Sequence, residues 1–197
     1  MAMQRKEITM SIYTKTGDQG ETSLFNGDRI PKSDNFMHAL GTIDECNSAL
    51  GIALSHLPRD ASFEHLREQF IEIQHALFDI GAAVATPRTH SSEAKIEKTR
   101  FNAEATKKLE EWIDEMDSKL PKLRTFILPG GHPSSAGLHL ARNICRRAER
   151  HAIPLNMHKD VSDNVMTYLN RLSDYFFMAS RMANHLTGVE ETSWRGK

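Results

Sequence analysis

The chain lacks most of the features that would take it away from a plain helical fold. Its only two cysteines in 197 residues, Cys46 and Cys145, supply no disulfide framework, and a reducing cytoplasm is the expectation. No stretch approaches the ~18 consecutive apolar residues that a membrane span requires. Residues 1–10 carry basic side chains with no apolar segment after them, which is not a secretory signal; they read as a disordered tail. An excess of one charge is missing too. The 25 Lys and Arg against 26 Asp and Glu leave a formal net charge of −1, which excludes a general nucleic-acid or membrane-surface binder. Strand-like alternation is confined to residues 126–128 and the neighbourhood of Ile12.

Catalytic signatures are also scarce. There is no Gly-x-x-x-x-Gly-Lys-Ser/Thr loop and no Gly-x-Ser-x-Gly elbow. A ferritin-like di-metal site needs two Glu-x-x-His pairs with further glutamates, and only Glu72-Ile-Gln-His75 occurs. No dedicated metal-binding set is expected. His38, His56, His65 and His185 read as surface or capping residues.

What the chain does have is helical period, and its length fits one domain over residues 1–197. A first helix is predicted from Asn35 to His56, with Phe36, Leu40, Ile43, Leu50, Leu54 and Leu57 on its apolar stripe and Asn47 interrupting it. Asp44 lies off that stripe, near Ser48 and Gly51. Phe63, Leu66, Phe70, Ile73, Leu77, Ile80 and Val84 alternate steps of three and four, the seam of a helix in an antiparallel bundle. Residues 86–101 are polar and without period, and read as a mobile loop. Asn102 is placed to cap a helix carrying Leu109, Trp112, Ile113, Met116 and Leu120, stopped by Pro121. A last helix carries Val165, Leu169, Leu172, Phe176, Ala179 and Ala183, with Asn170, Arg171, Asp174 and Arg181 off its seam. The fold class expected is all-α: a five-helix bundle with a ferritin-like up-and-down core and an N-terminal nucleotide-binding loop.

The stretch from Phe126 to His151 organises this bundle. Phe-Ile-Leu-Pro-Gly-Gly-His-Pro cannot be regular structure, because Pro129 fixes its own φ and the glycine pair can take angles closed to other residues. A helix follows from Ser134, with Pro133 near its first turn, hydroxyls available to cap it, and a connector expected from Pro154 to Asp163. At 100° per residue Arg142, Arg146 and Arg150 form a column, with Glu149, His139 and Ser135 beside it. The opposite side is read as Gly137, Leu140, Ala141, Ile144, Cys145 and Ala148. Like charges at i, i+4 disfavour a helix by a few tenths of a kcal/mol, so such a column points to an anionic partner. The second anion-seeking stretch is residues 11–35. Its glycines, hydroxyls and lysines can turn backbone N–H groups and cations toward phosphate oxygens.

Five motifs then stand in one order: Thr14-Lys-Thr-Gly-Asp-x-Gly, Gly41-Thr-x-Asp-Glu-x-Asn-Ser-Ala-Leu-Gly, Leu128-Pro-Gly-Gly, Ala141-Arg-x-x-Cys-Arg-Arg-Ala-Glu-Arg, and Tyr168-Leu-Asn-Arg-Leu-Ser-Asp. Together, over residues 13–184, they resemble the ATP:cob(I)alamin adenosyltransferases of the propanediol-utilisation type. The resemblance implies a homotrimer of helical bundles with active sites between subunits. It also implies transfer of the 5′-deoxyadenosyl group of ATP to the cobalt of cob(I)alamin, with release of triphosphate. Carried over residue by residue, Thr14, Lys15, Thr16 and Gly17, with Thr22, Ser23 and Lys32, would wrap the triphosphate. Arg146, Arg147, Glu149, Arg150 and Asn170 would hold ATP from the neighbouring subunit. Arg142 would pair with Asp44 across the interface, and Phe126 would lie under the corrin in place of the axial base. Mg²⁺ would ride on the ATP phosphates, and a corrinoid reductase or an adenosylcobalamin-dependent enzyme would be a further partner. The rival reading is a non-catalytic trimeric ATP sensor or cobalamin-delivery protein. Phe126 and the Asp44–Arg142 pair, which serve cobalt chemistry rather than ATP, argue against it.

Overall fold

The computed structural model describes residues 15–196. An antiparallel hairpin, β1 (Glu21–Ser23) and β2 (Arg29–Pro31), leads into α1 (Asn35–Ser55). A short 3-10 turn, Ala61–Phe63, precedes α2 (Glu64–Val84). After these come α3 (Glu93–Lys98), α4 (Glu104–Lys119), α5 (Pro133–Met157) and α6 (Asp163–Thr187). The five long helices are the expected bundle. In it α5 packs between α1 and α6, α2 lies on α1, and α4 lies on α6.

The core follows the seams. Leu66, Phe70, Ile73, Leu77, Ile80 and Val84 of α2 are buried, as are Val165, Leu169, Leu172, Phe176, Ala179 and Ala183 of α6. Tyr175 donates to Gln69 Oε1 at 2.8 Å, tying α6 to α2. The interruption at Asn47 is a cross-helix clasp: its carboxamide donates to the Gln74 carbonyl, and Gln74 donates back to the Asn47 carbonyl. Asp34 caps α1 through Phe36 N–H, and the Asn102 carboxamide accepts from Glu104 N–H at the start of α4.

Four expectations change. The segment 86–101 is not a featureless loop, because its middle forms α3. Six residues with none buried leave no period to read. Lys95 Nζ donates to the Asn26 carbonyl at 2.7 Å and Arg88 N–H to the Asp160 carbonyl at 3.1 Å, which hold the segment on the bundle. The hairpin was not legible either, since three-residue strands are too short to alternate. Thirdly, α5 runs through Pro154 instead of ending before it. Proline inside a helix costs about 3 kcal/mol. Burial of Ala152 just before it and of Leu155 just after it continues the core-facing stripe and offsets a cost of that size. Finally, Leu140 is exposed rather than core-facing, while Ser135 and His139 are buried.

Candidate active site

α5 positions the site because each of its sides is registered separately. Toward α1, Gly137 lets the backbones meet: a Cβ there would lie 3.1 Å from Ala53 Cα and Cβ. The Cys46 thiol donates to the Ala141 carbonyl in the same interface, and toward α6 the Cys145 thiol donates to the Leu169 carbonyl. Both thiols are buried, and Cys145 is pushed well above its usual pKa by its contact with Cys46 and by burial.

With α5 held on both sides, the column faces outward. Arg146 and Arg150 are exposed, and Arg150 Nη1 donates to the Arg146 carbonyl at 3.2 Å. Arg147 pairs with Glu45 of α1. Glu149 accepts from the Asn170 carboxamide of α6 at 3.0 Å, so these two polar groups share one environment across the α5–α6 groove. Asp174, one turn on from Asn170, pairs with Arg171. Arg142 is half-buried, its guanidinium carbon 5.7 Å from the centre of the Phe177 ring. Asp44, exposed on α1, makes no ion pair among the described residues, and burial of its surroundings raises its pKa.

The N-terminal loop forms a second, separate cluster. Lys15 and Gly20 take left-handed φ values of 59° and 83°. Lys32 N–H donates to the Gly20 carbonyl at 2.8 Å, and Gly20 N–H to the Gly17 carbonyl at 3.3 Å. A Cβ on Gly17 would lie 3.3 Å from Lys32 Nζ, so the ammonium sits over the glycine. Thr22 and Ser23 stand on β1; Ser23 Oγ accepts from Arg29, which also donates to the Thr16 carbonyl. Thr14 lies outside the described residues. Neither Thr22, Ser23 nor Lys32 hydrogen-bonds to α5 among the described residues.

The third part lies at the N-terminal end of α5. His132, not a serine hydroxyl, caps the helix, its Nδ1 accepting from Ser134 N–H. Asn184 of α6 clamps the preceding turn: its carboxamide accepts from His132 N–H at 2.9 Å and donates to the Gly130 carbonyl at 3.3 Å. Gly131, at φ 96°, is where a Cβ would run into that carboxamide. Gly131→Ala therefore combines a left-handed-φ cost of about 1–2 kcal/mol with displacement of a buried clamp. Thermal unfolding should show a drop in Tm of several degrees; an unchanged Tm would mean that the turn relaxes freely.

Just upstream, Phe126 is 78% exposed. The C-terminal tail runs beside it, with Leu128 N–H donating to the Thr192 carbonyl at 2.8 Å and Trp194 N–H to the Phe126 carbonyl at 2.7 Å. The Trp194 ring meets Phe126 edge-on at 6.2 Å. Sequence reasoning missed the tail and Phe177. Residues 189–196 have no period, and Phe177 was one of three aromatics in a row.

A five-helix bundle whose central helix displays a guanidinium column beside a carboxylate–carboxamide pair is a helical protein with a cationic face suited to an anionic ligand. The family model for cobalamin adenosyltransferase matches residues 12–183, and the chain belongs to that family. It is 44% identical over 184 residues to the corrinoid adenosyltransferase MMAB of Mus musculus, covering 93% of this chain and 77% of that protein. It is 41% identical over 187 residues to the corrinoid adenosyltransferase of Bacillus subtilis, covering 94% and 92%. Among solved structures, a variant PduO-type ATP:corrinoid adenosyltransferase from Lactobacillus reuteri, complexed with cobalamin and ATP, superposes with a TM-score of 0.84 at 36% identity, covering 94% of this chain and all of that one.

Proposed function

We propose that this protein transfers the 5′-deoxyadenosyl group of ATP to the cobalt of cob(I)alamin, at sites built between the subunits of a homotrimer. The observation that carries the reading is the division of tasks along α5. The cations Arg146 and Arg150 are exposed on its middle turns, and an aromatic ring, Phe126, is exposed upstream of its first, touched edge-on by Trp194. The motifs around both ends match a family whose relatives include a structure holding both substrates.

Cob(I)alamin is a strong nucleophile, so no side chain need be activated. The cobalt electron pair of the substrate becomes the Co–C5′ bond, while the two electrons of the breaking C5′–O5′ bond leave with that oxygen on the triphosphate. The protein holds the reactants in line and stabilises the departing charge. Lys15, Thr16, Gly17, Thr22, Ser23 and Lys32 wrap the triphosphate together with Thr14. Arg146, Arg147, Arg150 and the Glu149–Asn170 pair hold the nucleotide from the neighbouring subunit. A Mg²⁺ ion brought with ATP would be held by Asp18 and the hydroxyls of this loop, oxygen donors suited to a hard cation, and would help offset charge on the triphosphate. The trimer reading is supported by exposed apolar side chains on α1, α2 and α5: Ile52, Ile71, Phe78 (69% exposed) and Leu140. It is also supported by Thr22, Ser23 and Lys32 making no hydrogen bond or ion pair to the α5 arginines among the described residues. Two unpaired thiols fit a reducing cytoplasm, where a reductase could supply the electron.

The direct test is an anaerobic assay with reduced cobalamin and ATP, followed by the visible spectrum; no conversion overturns the reading. Phe126→Ala separates binding from chemistry. The ring is exposed, so folding should survive and ATP affinity should barely change, while turnover with base-bearing cobalamin collapses. Cobinamide, which lacks the axial base, should lose much less. Equal losses on both corrinoids would reduce Phe126 to a packing residue.

A further inference from the structure

Two polar atoms on one turn of α5 are buried without a hydrogen-bond partner: Nε2 of His139 and Nε of Arg142. Such atoms are uncommon in folded proteins and call for a physical reason. His139 is only 7% exposed. Both side chains rest on the same ring of α6. The imidazole meets Phe177 edge-to-face with centroids 6.3 Å apart, and the Arg142 guanidinium carbon lies 5.7 Å from the ring centre.

We propose that His139 is a positioning residue for Arg142: its imidazole braces Phe177, and Phe177 carries the guanidinium with Nε turned inward and the outer fork directed at the neighbouring subunit. The arrangement explains both orphan atoms. Nε2 gains nothing from the contact because the ring serves as a wedge, and Nε is given up so that the two terminal nitrogens of Arg142 stay available. It also requires the imidazole to be neutral, since a second cation beside Arg142 would push the guanidinium off the ring. Burial first, and then the charge of Arg142, hold the His139 pKa below its usual 6.5, against a weaker opposing pull from Glu191 of the C-terminal tail. The facing group from α6, Phe177, does not titrate. The inference rests on the adenosyltransferase reading, in which Arg142 serves the corrin side of the site.

The test is steady-state turnover with cob(I)alamin and ATP between pH 5 and 8, with thermal unfolding as a control for folding. His139→Ala should lower kcat about tenfold with the KM for ATP within about twofold, since a misplaced Arg142 affects the reaction rather than nucleotide binding. In the wild type, turnover should hold through 6.5 and fall only at more acid pH, because the imidazole gains its proton below its usual value. His139→Phe keeps a ring wedge that cannot titrate; it should recover turnover and lose that acid limb. Placing His139→Ala in an Arg142→Lys background should add little further loss, because the histidine acts through the arginine. Unchanged kcat in His139→Ala, a KM for ATP that rises as kcat falls, or an acid limb that persists in His139→Phe would each overturn the proposal. Should His139→Phe not fold, Phe177→Leu takes its place: it should repeat the kcat loss at unchanged KM for ATP, and normal turnover overturns the proposal. A wild type that turns over nothing at any pH sinks the adenosyltransferase reading instead, so the two failures are distinguishable.

Discussion

Arg146→Ala is expected to weaken ATP binding by about 10²–10⁴-fold while leaving the subunit folded. Charge-assisted hydrogen bonds are worth about 1.5–3 kcal/mol each, and a guanidinium can make two to one phosphate, so about 3–6 kcal/mol is at stake. Arg146 is exposed at mid-column and its side chain makes no ion pair within the subunit among the described residues, so alanine leaves no buried partner behind. Removing the middle of three stacked cations also relieves repulsion along the helix by a few tenths of a kcal/mol. Tm should therefore hold or rise slightly. Calorimetric titration with ATP decides the matter: wild-type affinity in a folded variant would place the triphosphate elsewhere. Arg147→Ala should lose less, because Arg147 is already engaged by Glu45 on α1 and offers phosphate only part of its fork. Equal losses at the two positions would mean that the Glu45 pair opens on binding.

The bundle was legible where period extends over several turns. Every apolar position of the α2 and α6 seams is buried, Phe63 from the 3-10 turn before α2. But α6 buries more than its seam: Arg181, expected off it, is buried and donates to Glu191. Legibility ended where a short element is held by contacts distant in sequence. α3 buries nothing of its own and depends on Asn26 and Asp160, and the hairpin is fixed by Phe25 N–H donating to the Ala85 carbonyl. Helical angle alone also misassigned the margins of α5. Leu140 falls close to the core stripe by angle yet faces out, and His139 falls beside the arginines yet is buried, because α1 and α6 close on α5 from two sides. In the site, the Arg142–Arg146–Arg150 column could be read from spacing. The groups that hold it could not: Phe177 under Arg142 and Asn170 on Glu149 belong to another helix, whose register only packing sets.

Asp44 and Arg142 bring that same limit to the assembly. Neither finds an ion-pair partner within the subunit among the described residues, although α1 and α5 pack directly together. Asp44, though exposed, has its pKa raised by partial desolvation, and Arg142 keeps Nε buried and unbonded. A carboxyl whose folded pKa is raised above its unfolded value disfavours folding once pH is high enough to ionise it, so at neutral pH a lone subunit carries a small cost here. A guanidinium from the neighbouring subunit would remove that cost. Removing one member of such a pair strands the other, at a scale of about 3–5 kcal/mol when the pair is buried. Asp44→Asn is thus expected to reduce turnover by two orders of magnitude or more, with ATP binding at the column preserved. The decisive experiment mixes inactive Asp44→Asn chains with inactive Arg142→Ala chains, dissociates them and lets them reassemble. If each site takes its aspartate from one subunit and its arginine from the next, a mixed trimer contains at least one junction where both native residues meet, and activity partly returns. Mass measurement must show that mixed trimers formed. Given that, no recovery would mean that both residues serve the same subunit's site, and the interface model would fall.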